Sequence, residues 1–122
     1  MHTAPATPAS LAQSLGILLA PLPGLVSAVL LRAGQATVLH VAAGHDPAAL
    51  PDGAKAAREL LLATRNFQME THWLRLAGER GTLYAFGDDQ AERVLVLVST
   101  EPRLEPDWLE AIQATLDAPA VV

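Results

Sequence analysis

Two histidines and an aspartate have the side chains best suited to bind a metal ion or to transfer a proton. His40 lies in an apolar run, and His45 and Asp46 follow in a segment rich in glycine and proline. A zinc site needs at least three protein ligands at workable spacing, and a general base needs a partner that orients it. His40 is predicted in a strand and the other two residues in a loop. We therefore expect no metal or acid/base site here.

Other potentially reactive side chains lack the neighbours that catalysis requires. Ser27 is outside any Gly-x-Ser-x-Gly turn and is predicted to pack in the core. Asp88 and Asp89 are adjacent turn residues, a position typical of turn formation. The chain has no cysteine, and no glycine-rich loop precedes a Lys-Ser or Lys-Thr pair. We predict a protein without enzymatic activity or cofactor. The alternative, an enzyme, would need a site built from His40, His72 and scattered carboxylates.

Two pairs of residues are candidates for binding another protein. Arg58 and Arg65 are two turns apart in a predicted helix, so both would project from one face toward a partner carboxylate. The alternative is an ordinary solvated helix face. His72 and Trp73 are adjacent in a predicted strand, and aromatic side chains are enriched at interaction hot spots. The alternative there is a core tryptophan beside an ordinary strand histidine.

Eight predicted elements position these residues, in the order α-β-β-α-β-β-β-α. Apolar residues at helical spacing predict three helices, and apolar runs between turn residues predict five strands. Ser10 is expected to cap the first helix and Asp52 the second. The helices are predicted at 10–20, 54–68 and from 106 to before Pro119, and the strands at 25–32, 36–42, 70–77, 82–86 and 93–99.

The apolar patterns of the strands predict their places in the sheet. Residues 26–31 and 94–98 are apolar at almost every position, which is typical of strands covered on both faces. These two strands are predicted at the sheet centre. The segment 71–77 alternates instead, with His72, Leu74 and Leu76 on one face and Trp73 and Arg75 on the other. It is predicted to be an edge strand, and because no proline guards it, we expect it to be used in association.

Length, charge and composition limit the class of protein. The 122 residues, 51% of them hydrophobic, suit one domain with one core. The net charge of -5 has the wrong sign for binding nucleic acid, and prolines interrupt the longest apolar region, so no membrane span is predicted. We expect a disordered tail over 1–9, a domain over 10–117, a second tail over 118–122, and a cytoplasmic location.

Three segments, in this order and spacing, carry a resemblance to a known family. A leucine-rich first helix runs into Leu22-Pro23-Gly24-Leu25-Val26, an alanine-rich helix begins at Ala54, and the run Val94-Leu95-Val96-Leu97-Val98 forms the last strand. With these features the chain resembles the roadblock family. This is the dynein light chain group, whose many bacterial and archaeal members accompany small Ras-like GTPases. The resemblance covers about residues 10–116.

The resemblance implies a fold and a mode of association. The fold is a single three-layer α/β/α domain of the α+β class, profilin-like, with a five-stranded antiparallel sheet in the order 2-1-5-4-3. Helix two covers one face, and helices one and three cover the other. Family members pair through helix two and strand three. We therefore expect a homodimer with Leu60, Phe67, Trp73 and Leu74 at or just behind the interface.

The function that the resemblance implies is that of a homodimeric regulator or scaffold for a small Ras-like GTPase. Arg58, Arg65 and His72 are the predicted partner-binding residues. A catalytic arginine finger supplied in trans is less favoured, because activators in this family work by repositioning the GTPase. The alternative function is a small-molecule sensory module, in which a comparable sheet and helices enclose a ligand pocket.

Overall fold

The chain folds into three helices and a five-stranded antiparallel sheet. A computed structural model describes residues 10–66 and 73–118. In chain order the elements are α1 (Leu11–Leu19), β1 (Leu25–Arg32), β2 (Gln35–Val41), a short 3₁₀ helix (Pro47–Ala49), α2 (Leu50–Asn66), β3 (Trp73–Gly78), β4 (Gly81–Gly87), β5 (Arg93–Ser99) and α3 (Pro106–Asp117). The predicted order of elements and the α+β class are confirmed.

The sheet order is β2-β1-β5-β4-β3. The two continuously apolar strands, β1 and β5, pair with each other from Leu25↔Ser99 to Arg32↔Arg93 and lie inside the sheet. Residues 94–97 of β5 are all buried because helices cover both faces of the strand. The alternating strand β3 lies at the edge beside β4, as its pattern predicts.

Each face of the sheet has its own hydrophobic core. On one face α1 and α3 contribute Leu15, Leu19, Ile112 and Leu116, which pack with Tyr84 and other sheet residues. On the other face α2 contributes mainly small side chains, including Ala54 and Ala57, together with Leu61. Small residues let the helix approach the sheet closely. The three-layer arrangement is therefore the expected one.

The start of the second helix differs from the sequence prediction. Asp52 was expected to cap a helix beginning at Ala54, but α2 begins at Leu50 and Asp52 lies within its first turn. The capping aspartate is Asp46, whose carboxylate accepts a hydrogen bond from the backbone N–H of Ala48 at 2.9 Å. Pro47 begins the 3₁₀ helix that leads into α2, because a first-turn position needs no N–H donor.

The other helix signals are confirmed. The Ser10 side chain accepts from the Gln13 backbone N–H, and the Gln13 side chain accepts from the Ser10 backbone N–H, which together form a capping box. Pro106 occupies the first turn of α3. The predicted tail over 1–9 lies outside the described residues, as do positions 119–122 of the second tail.

Candidate protein-interaction surface

The two edges of the sheet differ in regularity. Along β2 the pairing runs Ser27↔Val41 and Ala28↔His40 and then shifts to Val29↔Val38, so the strand carries a bulge with one extra residue. A bulge bends an edge strand and impairs further pairing. Strand β3 pairs with β4 from Trp73↔Phe86 to Gly78↔Gly81 without a shift. The regular edge is therefore β3.

One face of β3 is covered from within the chain. The Trp73 ring lies 6.1 Å from the Tyr84 ring and 6.3 Å from the Phe86 ring, on the side of α1 and α3. Next along the same side, the Arg75 guanidinium donates two hydrogen bonds, of 3.1 and 2.6 Å, to the Pro102 carbonyl. Residues 100–105 form the linker between β5 and α3, and this linker covers that face of β3.

The opposite face of β3 carries exposed apolar side chains. Helix α2 packs mainly on β1, β2, β4 and β5. Leu76 is 45% exposed, and its cross-strand partner Leu83 is only partly buried. On the same side, Leu74 is partly buried and Leu60 of α2 is 42% exposed. We call these four leucines the apolar strip.

The predicted interface residues are only partly brought together. Leu60 is an exposed residue of α2 and Leu74 packs against the core on the α2 side, whereas Trp73 packs in the core on the α1 and α3 side. Phe67 lies outside the described residues, as does the predicted partner-binding residue His72. Leu76 and Leu83 were not predicted as site residues. The signal that could have identified Leu76 is its alternation with Leu74 on the open face of an edge strand.

The two predicted partner-binding arginines both contact the turn between β4 and β5. Arg58 donates from Nε to the Ala91 carbonyl at 3.1 Å. Arg65 donates to the carbonyl of Asp88 at 2.7 Å and to that of Gly87 at 3.1 Å. These hydrogen bonds attach α2 to the end of the sheet. Contact of either arginine with a partner stays a prediction. Such a contact would have to use guanidinium N–H groups other than those that bond to the turn.

The predicted turn role of Asp88 is confirmed. Its carboxylate accepts hydrogen bonds from the backbone N–H groups of Glu92 at 2.8 Å and Arg93 at 3.3 Å. The carboxylate therefore supports the turn that the arginines hold from the other side. Asp89 is exposed in the same turn.

The residues first considered for metal or acid/base chemistry lie apart from this surface. His40 and His45 are both exposed, and Asp46 is used as a cap. Within residues 10–66 and 73–118, no three His, Asp or Glu side chains are grouped so that they could hold a metal ion. Ser27 is buried in β1 between two neighbouring strands, as predicted.

Neither the helices nor the comparisons with known proteins identify a class of protein. In the described part of the chain, no helix has both the length and the apolar character that crossing a membrane requires. The sequence matches no protein-family model, and no curated protein matches it significantly. The β3 edge with its apolar strip, and the resemblance described above, are therefore the basis for inferring a function.

Proposed function

We propose that this chain is a non-enzymatic protein-interaction module that forms a homodimer through β3 and α2. The single observation that carries the proposal is the regular β3 edge, which pairs with no second strand of the described residues, beside the apolar strip. Two copies related by a two-fold axis would pair their β3 strands and continue one sheet across the dimer. The same axis would bring the two apolar strips together, which would remove Leu60 and Leu76 from water.

The contrast between the two faces of β3 supports this geometry. The linker already covers the side of Trp73 and Arg75, through the Arg75 hydrogen bonds to Pro102. On the α2 side, the described residues leave Leu76 45% exposed, and apolar side chains exposed beside an open edge are an aggregation hazard unless a specific partner buries them. A second copy supplies a surface of matching shape and chemistry.

Light scattering of the purified chain tests the dimer. We expect a mass of twice 12.8 kDa at micromolar concentration. Leu76→Arg places a charge in the apolar strip and should give the monomer mass, while the fold survives because the side chain is already 45% exposed. The matched control is Ile17→Arg, since Ile17 is 73% exposed on α1, in the other helical layer. A monomeric wild-type chain would contradict the proposal.

The role that we propose for the dimer is to regulate or scaffold a small Ras-like GTPase in the cytoplasm. This partner comes from the resemblance to the roadblock family. The acidic net charge of -5 argues against a nucleic-acid partner and leaves a protein partner as the better match.

A pull-down from a lysate of the source cells tests the partner. The bait is the purified chain, with GDP in one sample and a non-hydrolysable GTP analogue in the other, and bound proteins are identified by mass spectrometry. We expect a Ras-like GTPase enriched in one nucleotide state. The Leu76→Arg monomer serves as a second bait and should lose it if the partner binds the dimer. The absence of any GTPase in both nucleotide states would contradict this role.

A second candidate function is a small-molecule sensory module, and one observation favours it. A cavity of about 480 Å³ lies between α2 and the turn that joins β1 to β2. This volume is within the range of small-ligand sites in proteins.

A further inference from the structure

The cavity beside α2 has a composition unlike that of the rest of the chain. Its basic lining residues are Arg32, Lys55 and Arg58, and its apolar lining residues include Leu31 and Ala33. These are three of the eight basic residues in a chain of net charge -5, and Lys55 is the only lysine. We call this cavity the cation cleft.

Two of these cations have no partner in the described part of the protein. Nη1 of Arg58 lies 3.7 Å from Oε1 of Glu59. This is the one ion pair among the described residues. The side chains of Arg32 and Lys55 make neither an ion pair nor a hydrogen bond with residues 10–66 or 73–118. Both are exposed, so they can reorient toward an anion without breaking an existing contact.

Arg58 is held in a fixed position at the cleft. Its Nε donates to the Ala91 carbonyl at 3.1 Å and its Nη1 faces Glu59, which leaves Nη2 for another acceptor. Ala91 and Ala33 are the non-glycine residues with positive φ in the described ranges, at 54° and 48°. At Ala33 the positive φ is the conformation that the two-residue turn between β1 and β2 requires. Ala33 lines the cleft itself, and Ala91 anchors its arginine.

We propose that the cation cleft binds a small organic monocarboxylate. The carboxylate would be held by Lys55, Arg32 and Nη2 of Arg58, because charge-assisted hydrogen bonds from a guanidinium are strong and directional. The apolar body would rest against Leu31 and Ala33. This proposal goes beyond the interaction role and gives the second candidate function its class of ligand.

Two acidic residues set the charge of the ligand. Glu59 and Glu92 also line the cleft, so its five charged side chains carry a small net positive charge. A singly charged head group balances that charge, whereas a doubly charged phosphate would have to leave water with one negative charge uncompensated. We therefore expect a carboxylate to bind better than a phosphate monoester of the same chain length.

Titration of the ¹⁵N-labelled full chain, followed by amide chemical shifts, tests the proposal. The probes are hexanoate, acetate, hexanol and hexyl phosphate. We expect hexanoate to give saturable shifts at the amides of Ala33, Gly34 and Glu92, and each other probe to bind at least several-fold more weakly. Equal binding of hexanol would remove the role of charge, and equal binding of acetate would remove the role of the apolar floor. Tighter binding of hexyl phosphate would overturn the assignment to a monocarboxylate.

Charge-neutral variants locate the site. Lys55→Gln and Arg32→Gln should each weaken hexanoate binding by about tenfold, the effect of losing one charge-assisted contact. The matched control is Arg103→Gln, an exposed arginine in the linker at the other end of the sheet, which should leave the affinity unchanged. Equal effects of all three variants, or none from Lys55→Gln and Arg32→Gln, would overturn the proposal. The variants keep the apolar strip, so the dimer mass by light scattering remains an independent result.

Discussion

The carbonyl oxygen of Gly87 accepts hydrogen bonds from both helical layers. It accepts a hydrogen bond from Arg65 of α2 at 3.1 Å and another from the side-chain amide of Gln113 of α3 at 3.0 Å. The absence of a side chain makes this possible. A Cβ at Gly87 would lie 2.8 Å from Cδ2 of Leu61, which is fully buried, and 3.2 Å from the Arg65 guanidinium.

Gly87→Ala should therefore destabilise the fold. We expect a loss of about 1–3 kcal/mol in the free energy of unfolding, because the new methyl group displaces a packed core side chain and the arginine beside it. Urea unfolding measures the change.

The matched control is Gly53→Ala, since Gly53 lies in α2 with open space around the new Cβ. Alanine favours the helix there, so this variant should be more stable by roughly 0.5–1 kcal/mol. Two changes of the same sign would contradict the account of Gly87.

The roles of Arg58 and Arg65 mark how far single-residue reasoning from sequence extends. Their spacing correctly places both on one helical face. Their acceptors, however, are carbonyls of a turn that is distant in sequence. Ala91 is 33 residues from Arg58, and Asp88 is 23 residues from Arg65. Every residue has a carbonyl, so the sequence contains no signal that identifies which ones a distant arginine will reach.

At the scale of elements, the linker between β5 and α3 covers part of one face of the sheet, as a helix does elsewhere on that face. Besides the Arg75 bonds to Pro102, the phenol oxygen of Tyr84 accepts a hydrogen bond from the backbone N–H of Leu104 at 3.0 Å. Tyr84 is 1% exposed and Leu104 is 7% exposed, so water cannot replace this contact. The linker is therefore fixed on the sheet by side chains of β3 and β4.

Tyr84→Phe should weaken this attachment. The substitution leaves the buried Leu104 N–H without an acceptor, which costs about 1–3 kcal/mol in the free energy of unfolding. Thermal or urea unfolding gives the value.

A suitable comparison is Thr64→Val. It removes a hydroxyl that donates to the Leu60 carbonyl within α2, an acceptor that sits where the helix backbone already bonds. We expect a change below about 0.5 kcal/mol for this variant. Equal effects of the two substitutions would show that the Tyr84 contact is not special.

The elements themselves were largely predictable because their signals are local. Continuous apolar runs placed β1 and β5 inside the sheet, and alternation placed β3 at the edge. The start of α2 was not predictable in the same way, since Asp46 and Asp52 are both good capping residues followed by helix-compatible sequence. Pro47, which begins the 3₁₀ helix, favours Asp46 as the cap because proline is well suited to the first helical position.

The candidate site was predictable as an edge, but not as a surface. Sequence alternation shows that Leu74 and Leu76 share a face. It does not show that the linker covers the opposite face while Leu76 stays 45% exposed on this one, because that depends on how the layers pack.

For the whole molecule, the proposed dimer predicts a stability that depends on concentration. Unfolding of a dimer to two chains is favoured by dilution through mass action. We expect the thermal midpoint of the wild-type chain to rise by several degrees over a roughly hundredfold increase in concentration.

The Leu76→Arg monomer should show a constant midpoint over the same range, and Ile17→Arg should behave like the wild-type chain. Differential scanning fluorimetry at several concentrations suffices for the comparison. A wild-type midpoint that does not move would contradict the dimer.

The bulge in β2 limits how large the assembly can become. A sheet that is open at both edges can add copies without end and grow into a filament. Each copy has one regular edge, and in the proposed dimer two copies joined at β3 would leave their bulged β2 strands outermost. The extra residue in β2 would then prevent further strand pairing, so that assembly through the sheet would end at two copies.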